Sequence, residues 1–309
     1  MDKKWHKQIT YYNIAKQIGM IPGTIDTYYK ELMIIRAEML AQQQQEEIQK
    51  LSTTFATTEI TSEYLWHKTG QCTWFIDKEI LDVLDTAKID DDITGISIPQ
   101  DVISFTFERG IIIDGFPLRT AMFFTPRSTI TRQLLQNNLH IKLEDKTVKL
   151  LCFYIDVGEN GQTHQFSEDT DYTKLIKWHC HRGYDKLPNV TLSDDPKQSE
   201  ALYHIMRICI AAIMMHAARP ERLVPFKLPR SQRYEYKGER SNFKRLTLPA
   251  IKTIYEHRVT GESTGRTVKP HYRGWVYRVL RNEKYKRNPD GTFRVIEIEP
   301  TVVHPELIE

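Results

Sequence analysis

Cationic and aromatic side chains are interspersed near the C-terminus of this chain of 309 residues. Arginine and lysine bind phosphate through charge-assisted hydrogen bonds, and tryptophan or tyrosine can stack on an unpaired base. We therefore predict that these side chains bind nucleic acid, with RNA as the favoured partner. Two alternatives stay open, namely a solvated basic hairpin anchored by its tryptophan and a surface that binds an acidic protein. The predicted binding residues are His271, Arg273, Trp275, Tyr277, Arg278, Arg281, Lys284, Lys286, Arg287 and Arg294.

The charge of the chain supports the same partner because it is unevenly distributed. The whole chain has a net charge of +3, whereas residues 227–294 contain 18 Lys+Arg against 6 Asp+Glu, a local net charge of +12. The remainder is therefore acidic, with a net charge of −9. A segment this basic attracts phosphates and gains affinity when the bound counterions are released. RNA, a ribosome or another ribonucleoprotein is thus the predicted partner.

Other chemistry has weaker support in the sequence. His271 could act as an acid or base beside Arg273 or Arg294, which would make the protein an RNA-cleaving enzyme, and it is the one candidate catalytic residue. The P-loop, GxGxxG and HExxH motifs do not occur. His179 and His181 have no second ligand pair at zinc-binding spacing. No metal and no cofactor is predicted.

A DNA-binding role is the third class of function that the sequence leaves open. Residues 14–29 resemble a repressor-type helix-turn-helix, with Gly19 at the turn and a second helix after Gly23. A regulator would then act through residues 10–30. The aromatic and acidic composition of the second helix favours instead a structural pair of helices.

The elements that must position these residues belong to an α+β fold. We predict an antiparallel-rich mixed sheet with packed helices, a helical N-terminal extension and a basic C-terminal β-hairpin. The hairpin strands are predicted at 272–280 and 293–298, with a Pro-Asp-Gly turn at 288–291. The predicted regions are a helical extension at 1–58, an α/β core at 59–226 and a basic C-terminal region at 227–309.

Periodicity places the other elements within these regions. Helices are predicted at 24–51, 78–87, 199–218 and 250–259, and strands at 102–107, 111–113, 121–124, 139–143 and 149–157. Residues 158–172 and 225–249 are predicted to be a polar loop and a basic extended arm. A flexible linker is predicted at 260–269.

The expected compartment is the cytoplasm of a host cell. The N-terminus has no apolar segment behind its lysines, and the longest apolar run, at 208–218, is about half of the ~20 residues that span a bilayer. The four cysteines contain no CxxC pair, which favours reduced thiols. No membrane partner is predicted, and the oligomeric state is not determined by the sequence.

The C-terminal region contains the segments Lys269-Pro270-His271-Tyr272-Arg273, Phe293-Arg294-Val295 and Pro300-Thr301-Val302-Val303. These three segments are similar to the closing motif of a widespread phage and mobile-element family. That family includes the type V-A anti-CRISPR protein that blocks biogenesis of the CRISPR effector nuclease. Trp66 and residues 75–80, 91–92 and 96–99 resemble its central domain in the same order. Where the family has Arg-Arg-Gly-His-Trp, this chain has Val276 in place of the histidine.

The resemblance, which spans roughly residues 60–305, implies a particular activity. A member of this family would be an inhibitory protein that binds a nascent target polypeptide, such as a CRISPR nuclease, together with RNA or the ribosome. It would thereby suppress production of the target and help a phage to evade host defence. His271, Arg273 and Arg294 are the positions of this chain that match the family motif.

Overall fold

The computed structural model describes residues 4–6, 10–17, 19, 23–42, 60–89, 95–124, 128–139, 150–157, 164–171, 196–227, 243–248 and 271–303. Its helices are α1 (Tyr11–Gln17), α2 (Ile25–Gln42), α3 (60–68), α4 (Lys78–Thr86), α5 (Thr129–Leu139) and α6 (Pro196–Ala218). A short 3-10 helix, Pro220–Arg222, follows α6.

The strands form one large sheet and two small ones. They are β1 (Thr73–Ile76), β2 (Lys88–Ile89), β3 (Val102–Phe107), β4 (Ile112–Ile113), β5 (Phe116–Phe124), β6 (Leu150–Val157), β7 (His164–Asp171), β8 (Leu223–Pro225), β9 (Phe243–Leu246), β10 (His271–Arg273), β11 (Val276–Leu280), β12 (Arg294–Ile298) and β13 (Thr301–Val303). The large sheet has the order β7-β6-β5-β3-β1-β9-β8, with β4 paired to β5. Strand β1 runs parallel to β3 and β9, and the remaining pairs are antiparallel.

The large sheet is covered on both faces, which explains why β1 and β3 are buried throughout. On one face, Trp74 and Phe105 pack in a core that includes residues of α4 and α6. Helix α6 is apolar nearly all round, as expected for a helix enclosed by the protein. On the other face, Phe75 packs edge-on against Trp5, with ring centroids 5.2 Å apart. Both faces of the central strand therefore belong to the core.

The C-terminal hairpin forms a second sheet with the order β12-β11-β2. Strands β11 and β12 are antiparallel, whereas β2 runs parallel to β11. Tyr277, Val279 and Val295 extend the main core from this sheet. Packing thus crosses the predicted boundary at residue 226, because both this hairpin and strand β9 lie against the core.

The predicted α+β class with an antiparallel-rich mixed sheet is confirmed. The helix predicted at 199–218 is confirmed as α6, and the predicted hairpin is confirmed as β11 and β12. The helix predicted from residue 24 begins at Ile25, and its predicted end at residue 51 lies outside the described residues. The predicted helix at 250–259 and linker at 260–269 also lie outside them.

Three element predictions are wrong, two of them because strand pairing outweighed the local pattern. The polar loop predicted at 158–172 contains β7, an edge strand that pairs with β6 through backbone bonds and needs no apolar alternation. The arm predicted at 225–249 contains β9, which pairs with β1 in the sheet centre. Leu139, the predicted start of a strand, instead ends α5, where it is buried four residues after Leu135.

Candidate nucleic-acid interface

The turn between β11 and β12 follows the chemistry of its residues. Gly291 has φ +81°, a conformation that favours glycine. The carboxylate of Asp290 accepts a hydrogen bond of 3.0 Å from the backbone N–H of Thr292, and the Asn288 backbone N–H donates to the Thr292 carbonyl at 2.9 Å. The loop before this turn, residues 281–287, is called the tip loop below. These bonds fix the register that places the cations of the hairpin.

One face of the hairpin is turned towards the core, and it contains the aromatic residues predicted to bind bases. Tyr277 is fully buried and Trp275 is 8% exposed. The Trp275 ring lies 5.3 Å from the guanidinium carbon of Arg222. The burial of both rings argues against base stacking by Trp275 and Tyr277.

A buried ion pair holds this inner face in place. Both guanidinium nitrogens of Arg222 donate to the Glu297 carboxylate, one of them at 2.6 Å to Oε1. The Glu297 side chain is fully buried and that of Arg222 is 7% exposed. Burial and the neighbouring Glu297 charge raise the pKa of Tyr277 well above its usual value, so its hydroxyl stays protonated. The hairpin is thus fastened to the 3-10 helix after α6.

The opposite face of the sheet carries three exposed cations, Lys88, Arg278 and Arg294. Val276 of β11 lies beside Lys88, and Leu280 lies beside Arg294. Since paired residues share a face, Arg278 stands on the same face midway between the other two. The three side chains, called the cation row below, cross the sheet diagonally, with Cα atoms roughly 8 Å apart at each step.

The tip loop extends the cation row at its β12 end. Lys284, Lys286 and Arg287 are exposed, and Arg281 is partly exposed. From residue 276 to residue 294 the chain has six Lys+Arg against two Asp+Glu, and Lys88 adds a further positive charge. The cation row and the tip loop, together called the basic surface below, therefore have an excess of positive charge.

The aromatic rings near the tip of the hairpin make cation–π contacts with neighbouring basic side chains. The guanidinium carbons of Arg281 and Arg287 lie 4.7 Å and 3.4 Å from the Phe293 ring centroid. The Tyr285 side chain is exposed, and Lys284 Nζ lies 5.0 Å from its ring centroid. Cation–π contacts of this kind orient the basic side chains as well as shielding the rings.

Lys88 is the residue of this surface that sequence reasoning missed. It stands in a two-residue strand, 190 positions before Arg278, and no local pattern connects the two. Its backbone N–H donates to the Trp275 carbonyl at 2.8 Å. Just before it, the Arg207 side chain donates to the carbonyls of Asp85 and Ala87, which secures the end of α4.

A histidine bridge fixes the same end of α4. Nε2 of His204 bonds the Asp85 carboxylate, and Nδ1 bonds that of Asp114 at 2.8 Å. Burial acts to lower the pKa of His204, but the two carboxylates outweigh it and raise the pKa above its ordinary value. The same partnership lowers the pKa of Asp85. A charged His204 therefore joins α6, the end of α4 and the turn between β4 and β5.

His271 and Arg273 are not members of the cation row, because they belong to a separate strand pair. They lie in β10, which pairs antiparallel with β13 so that His271 is opposite Val303 and Arg273 is opposite Thr301. The structure describes the backbone of this strand, and the catalytic role considered for His271 stays a prediction. The histidines His179 and His181 lie outside the described residues.

The N-terminal helix pair is packed against the rest of the protein. Tyr29 of α2 is fully buried, and its hydroxyl donates to Glu63 Oε2 at 3.1 Å. At the start of the same helix, Asp26 accepts hydrogen bonds from Tyr64 and Lys68. The residues that would open a recognition helix are thus engaged by α3, which favours the structural interpretation of residues 10–30.

Two further findings concern metal binding and membrane insertion. Within the described part of the chain, no cluster of three or more His, Cys, Asp and Glu side chains is placed to bind a metal ion. No helix in those residues combines the length and the apolar character needed to cross a membrane.

A comparison of the chain with protein-family models, curated proteins and solved structures found no match.

Proposed function

We propose that the protein binds RNA through the cation row and the tip loop. The observation that carries the proposal is the exposure of Lys88, Arg278 and Arg294 on one sheet face, with further exposed cations in the adjoining tip loop. Such an array neutralises successive phosphates and gains affinity from counterion release. The net charge of +12 over residues 227–294 acts in the same direction.

The rigidity of the hairpin supports the same role. Its inner face is buried in the core and fastened by the Arg222–Glu297 pair. The backbone positions that carry the cations are therefore fixed before a ligand arrives, and binding has less backbone freedom to remove. Arg278 and Arg294, both on paired strands, benefit most from this arrangement.

Fluorescence anisotropy with a labelled RNA tests the proposal. We expect the double substitution Arg278→Ala and Arg294→Ala to weaken binding at least tenfold at about 50 mM salt, because two phosphate contacts are lost. The slope of log affinity against log salt should also fall in magnitude by about one unit for each lost contact. Lys30→Ala with Lys197→Ala is the matched control, since both lysines are exposed and lie outside the basic surface. Equal losses in the two double variants, or no binding by the wild type, would overturn the proposal.

We propose further that the bound RNA belongs to a translating complex and that the protein suppresses production of a target polypeptide. The support for this step is the resemblance of residues 269–273, 293–295 and 300–303 to the phage family described above. Specificity would lie in the encoded peptide, while the cation row supplies contacts to RNA of any sequence.

Recoding a target gene separates these two contributions. Synonymous changes in the first codons of the target should leave inhibition intact, whereas changes in the encoded residues should relieve it. The reporter is the level and the ribosome occupancy of the target mRNA in cells that express the protein. Inhibition that follows the codons instead of the peptide, or an absence of any effect on candidate targets, would contradict this second step.

A further inference from the structure

We infer that the basic surface binds double-helical RNA in preference to an unpaired strand, an inference that rests on the proposed RNA-binding function. Proteins that bind single strands combine a basic surface with aromatic side chains on which successive bases stack. Proteins that bind RNA duplexes instead contact phosphates and 2′-hydroxyls and depend little on sequence. The two modes therefore differ in whether free aromatic rings accompany the cations.

The aromatic residues whose side chains the structure describes on this surface are unsuited to base stacking. Trp275 and Tyr277, the residues that the sequence offered for this purpose, are buried beneath the sheet. Phe293 is covered by Arg281 and Arg287 at 4.7 Å and 3.4 Å. The cations among the described hairpin residues thus outnumber the exposed rings by a wide margin.

Tyr285 is the exposed aromatic ring of the tip loop, with a relative exposure of 39%. Its neighbour Lys284 places Nζ 5.0 Å from the ring centroid, so a base that stacked on that side would have to displace a cation. A single ring of this kind cannot hold successive bases, which is the arrangement that single-strand binding uses.

The cation row suits a rigid phosphate backbone. Its three Cα atoms run diagonally across a sheet that is anchored on its inner face, and each step is roughly 8 Å. A duplex presents its phosphates at fixed spacing along each strand, so rigid cations and rigid phosphates meet without ordering a flexible chain. An unpaired strand would have to be ordered at an entropic cost, with few rings to compensate.

The test compares three ligands at equal phosphate concentration: an RNA duplex of about 20 base pairs, an unstructured single strand of equal length and a DNA duplex of matching sequence. The full-length protein is titrated by anisotropy at about 50 mM and 200 mM salt. We expect the RNA duplex to bind at least tenfold more tightly than the single strand. Changing the duplex sequence should alter its affinity by less than about threefold.

Tyr285→Ala provides a readout that charge density alone does not affect. If a base stacked on Tyr285, its loss would weaken binding by at least about fivefold. Since we infer that no base stacks there, we expect Tyr285→Ala to change the affinity for either RNA by less than about twofold. A fivefold loss for the single strand in Tyr285→Ala, or single-strand affinity equal to that of the duplex, would overturn the inference while leaving RNA binding intact. Absence of binding to every ligand, or binding to the DNA duplex alone, would instead overturn the proposed function on which the inference rests.

Discussion

Replacement of Glu297 by glutamine removes one charge from the buried pair that fastens the hairpin to the core. Arg222 would then lie 7% exposed with its guanidinium facing an amide, and Arg219, 3.7 Å from Oε1 of Glu297, is a second cation that would lose the same anionic partner. Removing one partner of a buried pair costs about 3–5 kcal/mol. Because the glutamine oxygen still accepts one hydrogen bond, we expect a loss near the lower end, about 3 kcal/mol.

Urea unfolding followed by circular dichroism measures this loss. With an m-value of about 3 kcal/mol per molar urea, the midpoint should fall by about 1 M in Glu297→Gln. The matched control is Glu299→Gln, two residues further on and exposed, which should change the free energy of unfolding by less than about 0.5 kcal/mol. Arg222→Met combined with Glu297→Leu should recover part of the stability, since an apolar pair leaves no charge uncompensated. Equal midpoints for Glu297→Gln and Glu299→Gln would refute this account of the hairpin anchor.

Two further perturbations test the elements that position the cation row. The pKa of His204 is raised in the folded state, so its contribution to stability is complete below the unfolded pKa of about 6.5 and is lost as the pH rises through the folded pKa. The difference in stability between wild type and His204→Gln should therefore shrink between pH 6 and pH 9. A difference that does not depend on pH would contradict this expectation. Gly95 has φ +74° and an added Cβ would meet the Phe293 ring at 2.7 Å, whereas Gly291 has φ +81° with nothing within 4 Å. Gly95→Ala should therefore lower the urea midpoint more than Gly291→Ala, and equal midpoints would show that the ring moves aside.

Sequence reasoning identified the elements whose stability depends on local pattern. The hairpin turn was predictable because proline, aspartate and glycine at 289–291 fit few other backbone conformations. Helix α6 was predictable because its apolar residues are too numerous for an exposed helix. In both cases residues close in the chain supply most of the information.

Elements that depend on distant pairing were not predictable in this way. Lys88 joins Arg278 and Arg294 only because β2 pairs in parallel with β11, a contact between segments far apart in sequence. Tyr277 occurs in a basic stretch and alternates with cations, so its pattern fits a stacking residue as well as a core residue. Burial against α6 decides between the two, and that is a property of the assembled fold.

The salt dependence of RNA binding tests the central claim most directly. Wild-type protein and a triple variant, Lys88→Gln, Arg278→Gln and Arg294→Gln, are titrated with the same RNA duplex at several salt concentrations. The slope of log affinity against log salt should fall in magnitude by about 2.7 in the variant, since each phosphate contact to a duplex contributes about 0.9. Its urea midpoint should stay close to that of the wild type, because all three side chains are exposed. A variant that folds normally and keeps both the wild-type affinity and the wild-type slope would show that RNA does not bind on the cation row.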